Sequence, residues 1–140
     1  MPLILTDVGA DEFLKIVFNN DRATANNHFH LRLFVNNVNP AQTGISYTEA
    51  TGGNYAAMQL DMGSWTVTPA NDPSDAVYVQ QTITFTGPLT TNLTIYGYYV
   101  TDGDGVVLWA ERFTTSFTPA DNGDNIKITP KFQLSSGTIT

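Results

Sequence analysis

Apolar and polar residues alternate with a period of two along most of the chain from His28 onward. Leu31, Leu33 and Val35 alternate with His30, Arg32 and Phe34, and the same period recurs across residues 56–62. Because successive side chains of a strand point to opposite faces of a sheet, this alternation predicts β-strands. The same argument predicts further strands around Trp65 and Val67, over residues 77–86, over 95–113 as a hairpin, and over 126–134.

Two of these strands carry more specific expectations. In residues 77–86 we expect the inward positions to be Val77, Val79, Ile83 and Phe85. The last strand holds Pro130 among its inward positions, and proline cannot donate a hydrogen bond to a neighbouring strand. We therefore expect this strand to lie at an edge or to carry a bulge at Pro130.

The hairpin from Ile95 to Phe113 turns at Asp102-Gly103-Asp104-Gly105, residue types that accept the backbone angles of tight turns. A turn centred on Gly103 and Asp104 predicts cross-strand pairs on two faces. These are Val100 with Val107, Tyr98 with Trp109 and Tyr96 with Glu111 on one face, and Tyr99 with Leu108 and Gly97 with Ala110 on the other. Since both faces are apolar, we expect one to be covered by a second sheet and the other by a helix or a neighbouring subunit.

Residues 7–20 are the single segment that favours a helix. Asp11 and Glu12 suit the first turn, and Phe13, Ile16 and Val17 fall on one face. The stretch 13–18 is also compatible with a strand, because short apolar runs fit both periods. About eight strands after at most one helix predict an all-β chain, a jelly-roll-like β-sandwich that forms one domain over 1–140, with a flexible tail over 135–140.

Composition narrows the possible functions. The chain has 140 residues, no cysteine and a formal net charge of −7 from 13 acidic and 6 basic residues. It therefore has no disulfide or thiolate chemistry, and we expect no nucleic-acid partner, since phosphate binding needs clustered Lys and Arg. The first residues lack a signal-peptide pattern, and no apolar run reaches the length of a membrane span. We expect a soluble protein without a membrane partner.

Candidate metal ligands are sparse. His28 and His30 would share one face of a strand, but a zinc site needs at least a third ligand. The segment 102–105 resembles the start of a calcium loop but lacks the remaining oxygen ligands, so a turn is the favoured interpretation. Neither histidine lies in a nucleophile motif. We therefore expect no enzyme activity, no catalytic residues, no cofactor and no metal.

The aromatic residues of the hairpin, Tyr96, Tyr98, Tyr99 and Trp109, are the candidate functional residues. They could form a platform that stacks on sugar rings, but core or interface positions are the favoured interpretation. Trp109 in particular is expected to be a buried anchor. Glu111 on an aromatic face would fit a hydrolase with paired carboxylates, and equally an ion pair with Arg112 or Lys15 or simple exposure.

Several segments of the chain resemble a family of small virion proteins of tailed bacteriophages, whose members look like head decoration (cement) proteins. The resemblance covers most of the chain and is carried by Tyr47–Ala50, Gly53–Tyr55, Trp65, Ala76–Phe85, Tyr96–Val100, Leu108–Phe113 and Asn122–Pro130.

The resemblance implies a non-enzymatic protein on the capsid exterior, made in the bacterial cytoplasm. Its partners would be the major capsid protein and copies of itself, with a trimer as the expected oligomer. A tail or head–tail connector protein would share these features, and a carbohydrate-binding module is the alternative from another class.

Overall fold

The computed structural model describes residues 4–10, 13, 28–68 and 74–134. The strands of this part of the chain are β1 (Ile4–Leu5), β2 (His28–Phe34), β3 (Met58–Asp61), β4 (Thr66–Thr68), β5 (Ser74–Val77), β6 (Gln81–Thr84), β7 (Ile95–Thr101), β8 (Val107–Phe117), β9 (Asn125–Ile128) and β10 (Lys131–Leu134). Two short 3₁₀ turns span Met62–Ser64 and Thr90–Asn92. All paired strands are antiparallel, which confirms the all-β prediction.

The largest sheet has five strands in the order β1-β8-β7-β2-β3. The long β7–β8 hairpin lies at its centre, flanked by β2 and by the short N-terminal strand. Strand β1, which the alternation of residues did not predict, pairs Ile4 with Ala110 and Leu5 with Trp109. The hairpin identified in the sequence is therefore the centre of the sheet.

The remaining strands form a three-stranded sheet, β10-β5-β4, and a two-stranded sheet, β6-β9. The two sheets are built from the same two chain segments: β5 is followed by β6, and β9 is followed by β10. A break in each segment separates the two sheets. Pro130 lies at the break between β9 and β10, and its carbonyl accepts a hydrogen bond from the Tyr78 amide at 2.9 Å. The prediction of an irregularity at Pro130 is confirmed.

The break between β5 and β6 reverses which residues point inward, and here the sequence prediction is wrong. Val79 was expected in the core but is 68% exposed, whereas Tyr78 is buried. The single predicted strand over 77–86 is two strands, and the three residues between them shift the alternation by one position. Ile83 and Phe85 are buried as expected.

The main core lies between the five-stranded sheet and the other two sheets. It contains Leu33 of β2 and Ile83 of β6, and the partly buried Phe132 of β10, from the third sheet, packs against it. Burial of such side chains contributes about 1.5–3 kcal/mol each to folding. Trp109 is 1% exposed and lies at the centre of this core, so its predicted burial is confirmed.

The register of the hairpin differs from the prediction by two residues. Val100 lies opposite Trp109 and Tyr98 opposite Glu111, while Tyr99 pairs with Ala110. The turn is longer than assumed, and the register shifts between Val100 and Thr101. The predicted Tyr98–Trp109, Tyr96–Glu111, Val100–Val107, Tyr99–Leu108 and Gly97–Ala110 pairs are therefore wrong.

The predicted helix begins where the sequence placed it. Residues 7–10 and Phe13 are helical, and the Thr6 hydroxyl caps the first turn by accepting a hydrogen bond from the Gly9 amide at 2.8 Å. Thr6 also donates to the Val107 carbonyl at 2.6 Å, which fixes this turn on the hairpin. The rest of the predicted helix, residues 11–12 and 14–20, and the predicted tail over 135–140 lie outside the described residues.

Candidate functional site

The four candidate aromatic residues do not form one platform. Trp109 and Tyr98 belong to the main core, while Tyr99 and Tyr96 lie on the opposite face of the sheet. Trp109, Tyr98 and Tyr99 are all buried, and the partly exposed ring of Tyr96 lies 5.1 Å from the Arg112 guanidinium carbon. The structure thus places these residues in packing roles on two faces.

Glu111, the charge that looked out of place among aromatic residues, has a partner in the core. The Tyr98 hydroxyl donates a hydrogen bond to Glu111 Oε2 at 2.8 Å. Burial, followed by the nearby Glu111 charge, raises the pKa of Tyr98 above its ordinary value. The Glu111 carboxylate therefore accepts the hydrogen bond of a buried phenol. The two residues meet because Tyr98 lies opposite Glu111 in the observed register.

The second face of the hairpin is covered by the chain's own loop, residues 35–57. Tyr47 from this loop stacks on Tyr99 with ring centroids 5.1 Å apart, and it lies 5.1 Å from the ring of Phe34. A Cβ on Gly97 would lie 2.6 Å from Phe34 Cε1, so only glycine permits this ring to lie against β7. The loop thus covers Phe34, Tyr99 and Ala110, where a helix or a neighbouring subunit was expected, and association with further copies of the chain stays a prediction.

A charged cluster fastens one end of this loop to the sheet. Arg32 Nη1 donates to Glu49 Oε2 at 2.8 Å, and the Tyr55 hydroxyl donates to Glu49 Oε1 at 3.0 Å. The same hydroxyl accepts a hydrogen bond from the Leu33 amide at 3.0 Å. Burial raises the pKa of Tyr55, and it raises that of Tyr99 to about 12, where the Glu49 charge adds to the effect. The alternation of residues gave no signal for this cluster.

A second arginine fastens the other end of the loop. Arg112 donates to the Val38 carbonyl at 2.7 Å and to Asn37 Oδ1 at 2.6 Å. Asn36 closes the base of the loop by donating to the Ser46 carbonyl while accepting from the Thr48 amide, both at 2.8 Å. These contacts give the loop a fixed conformation over the second face.

The segment 102–105 forms a turn, as predicted. Asp102 Oδ1 accepts hydrogen bonds from the amides of Asp104 and Val106, both at 2.9 Å, and Gly105 has a φ of +87°. The Asp102 side chain stabilises the turn by accepting these two hydrogen bonds. Its role is structural.

The two histidines share the outer face of β2, as expected. His28 Nδ1 lies 2.9 Å from Asp61 Oδ1, and Gln59 Nε2 contacts both of these side chains. Across the described ranges, no group of three or more His, Asp or Glu side chains is placed to hold a metal ion.

An open apolar groove of about 410 Å³ lies beside the second face. Three segments form it: the N-terminal turn with Thr6 and Val8, the loop residues 41–45 with Tyr47, and the hairpin residues Val106 and Val107. The Asp7 amide donates to the Gln42 carbonyl at 3.1 Å and thereby joins the first two segments. Val8 is 61% exposed, so this groove presents an apolar surface to solvent.

No protein-family model matches the chain, and no curated protein and no solved structure matches it either. Within the residues that the structure describes, no helix has the length and apolar character needed to cross a membrane.

Proposed function

We propose that this chain is a non-enzymatic structural protein of a tailed-bacteriophage particle, a decoration protein that binds the outside of the major capsid shell and stabilises the head. The observation that carries the proposal is the resemblance of segments between residues 47 and 130 to phage virion proteins. Two of these segments, 96–100 and 108–113, form the central hairpin, and 47–50 and 53–55 form the loop that covers it. The residues that carry the resemblance therefore include residues that stabilise the fold. The proposal also includes the fold that the resemblance implies, a jelly-roll-like β-sandwich.

The apolar groove is the surface that suits capsid binding best. It is preformed by hydrogen bonds at Thr6 and Asp7, so its occupation costs little conformational entropy. An exposed apolar surface with polar surroundings is typical of a protein interface. Its partner in this proposal is the major capsid protein, with the decoration protein present as a trimer on local symmetry axes.

A carbohydrate-binding module is less well supported. That function requires exposed coplanar rings, whereas Trp109, Tyr98 and Tyr99 are between 1% and 6% exposed. A tail or head–tail connector protein remains the alternative, because the same scaffold and groove would serve there.

The proposal is tested with purified particles of the phage that encodes this chain. Heads and tails are separated on a density gradient, and the protein is detected in each fraction with an antibody. We expect it on heads, with additional density on the outer shell in electron cryomicroscopy. Its presence only with tails would favour the connector alternative, and its absence from both fractions would refute the virion assignment.

Two matched variants test the groove. Val8→Asp places a charge in the groove, while Val79→Asp places one at an equally exposed valine between β5 and β6. We expect Val8→Asp to weaken binding to undecorated heads at least about tenfold, which corresponds to about 1.4 kcal/mol. Val79→Asp should bind as the unmodified protein does, and equal binding by both variants would remove the groove from the proposal.

A further inference from the structure

A second apolar pocket lies at the aromatic end of the main core, away from the groove. It has a volume of about 120 Å³ and is lined by Phe13, Phe29, Trp65, Ala76, Trp109 and Phe132. Five of these six residues are aromatic and none is charged. The pocket thus differs from the groove, which includes threonine and glutamine side chains.

Aromatic packing holds the walls of this pocket in place. Phe13 stacks on Trp109 with centroids 6.0 Å apart, and Phe132 lies 5.3 Å from Trp109. Trp65 meets Trp109 edge-on at 6.1 Å. The rings come from the N-terminal helix, from the five-stranded sheet, from the three-stranded sheet and from the segment before β4. The walls of the pocket are therefore held by contacts between four different parts of the chain.

The lining determines what can occupy this space. A charged or strongly polar ligand would lose its hydration without gaining a partner, which is unfavourable. The pocket opens to solvent, and water inside it finds no polar partner among the lining atoms, so its displacement by an apolar ligand is favourable. In another protein an enclosed apolar cavity of about 150 Å³ binds benzene, which shows that an apolar lining of this size is sufficient, although the present pocket is open at one side. A flat neutral ring would restore dispersion contacts and offset or edge-to-face geometries with the surrounding rings.

We propose that this pocket is a binding site for one small neutral aromatic molecule of about the size of benzene. The site is independent of the assignment to a phage particle, since it concerns only the isolated chain. The pocket excludes anions of similar shape.

The chain contains two tryptophans, and both line the pocket, which supplies a direct reporter. Full-length protein labelled with 5-fluorotryptophan is titrated with benzene and, in parallel, with benzoate, and the ¹⁹F resonances are followed by NMR. The Trp65→Phe variant assigns the two signals. We expect benzene to shift both resonances until they saturate and benzoate to leave them unchanged. Unsaturable shifts, or equal shifts with benzoate, would overturn the proposal.

Ala76→Leu fills the pocket from the wall of β5, and Val67→Leu is its matched control. Val67 lies directly opposite Ala76 in the sheet, is 63% exposed and does not line the pocket. We expect Ala76→Leu to abolish the benzene shifts and Val67→Leu to retain them. Should Ala76→Leu fail to fold, the smaller Ala76→Val should weaken benzene binding several-fold. Undiminished binding by a folded Ala76 variant would overturn the assignment.

Discussion

The two faces of the β7–β8 hairpin are buried by different means. The inner face packs against two other sheets through a large apolar core around Trp109. The outer face has a small cluster of Phe34, Tyr99 and Ala110 beneath a loop. Arg32–Glu49 and Arg112 hold that loop in place through charge-assisted hydrogen bonds. The inner face of the hairpin is thus stabilised by packed apolar volume, and the outer face by hydrogen bonds between polar side chains and the loop.

Loss of volume should be most damaging on the inner face. Trp109→Ala should lower the free energy of unfolding by about 3–5 kcal/mol, because the neighbouring rings cannot fill the space left by the indole. Trp109→Phe keeps most of the apolar volume and should cost less. Chemical denaturation measures both values. Near-native stability of the alanine variant would contradict the role of Trp109 as an anchor.

Loss of a polar partner should be most damaging on the outer face. Glu49→Ala leaves the Arg32 guanidinium and the Tyr55 hydroxyl without their shared acceptor and should cost about 1–3 kcal/mol. Hydrogen exchange should quicken at the amides of Val35 and Ala50, which bond across the base of the loop. Asp75→Asn, which removes the charge of the partly exposed Asp75–Lys131 pair but keeps an oxygen that can accept hydrogen bonds, is the control and should have a smaller effect. Equal losses in the two variants would show that the cluster does not hold the loop.

High pH should destabilise the packing on both faces of the hairpin. Burial raises the pKa of Tyr99 to about 12, and it raises that of Tyr98 beyond the ordinary value of 10.0. Between these values the unfolded chain loses protons that the folded chain keeps, so the free energy of unfolding falls as pH rises from 10.0 towards 12. Chemical denaturation followed by far-ultraviolet circular dichroism at several pH values across this window measures the fall.

Tyr99→Phe and Tyr98→Phe distinguish the faces in the same titration. Each should move the alkaline midpoint upward by removing one ionising group. Tyr98→Phe also leaves Glu111 without its hydrogen-bond donor, so the upward shift of its alkaline midpoint should be smaller than that of Tyr99→Phe. A free energy of unfolding that stays constant between pH 10.0 and 12 in the unmodified protein would contradict the burial of these phenols.

The smallest effect is expected away from both faces, in the turn at Asp124. Its carboxylate accepts hydrogen bonds from the amides of Ala120 and Asp121, which hold its pKa below 3.8. This contribution to stability is present above pH 3.8 and is lost as pH falls through the lowered pKa. Asp124→Asn should flatten the acid limb of the stability profile slightly. An unchanged acid limb would contradict the role of this carboxylate.

The period of two predicted the strands well, because inward and outward positions alternate wherever a strand is uninterrupted. Leu31 and Leu33 were placed correctly for this reason. The alternation mispredicts Val79, since a break of three residues shifts the inward positions by one without any change in composition. It also failed for the register of the hairpin, which depends on a turn length that Asp and Gly residues alone do not determine.

The outer face was the least predictable part of the molecule. Its apolar character was evident from Tyr99 and Ala110, but not what covers it. The covering loop mixes polar, apolar and glycine residues, and its closure depends on Glu49 accepting hydrogen bonds from both Arg32 and Tyr55. Contacts of this kind have no periodic signature, and the groove beside them forms only when three distant segments converge.

The hydrogen bond from Thr6 to Val107 joins residues that are 101 positions apart. During synthesis the N-terminal strand leaves the ribosome long before the hairpin that it will join exists, whereas the loop over the outer face adjoins its own strand. Closing so large a separation is slow in comparison with local pairing. We therefore expect β1 to dock late, after the transition state for folding. Changes at Thr6 should accelerate unfolding while leaving the folding rate nearly constant.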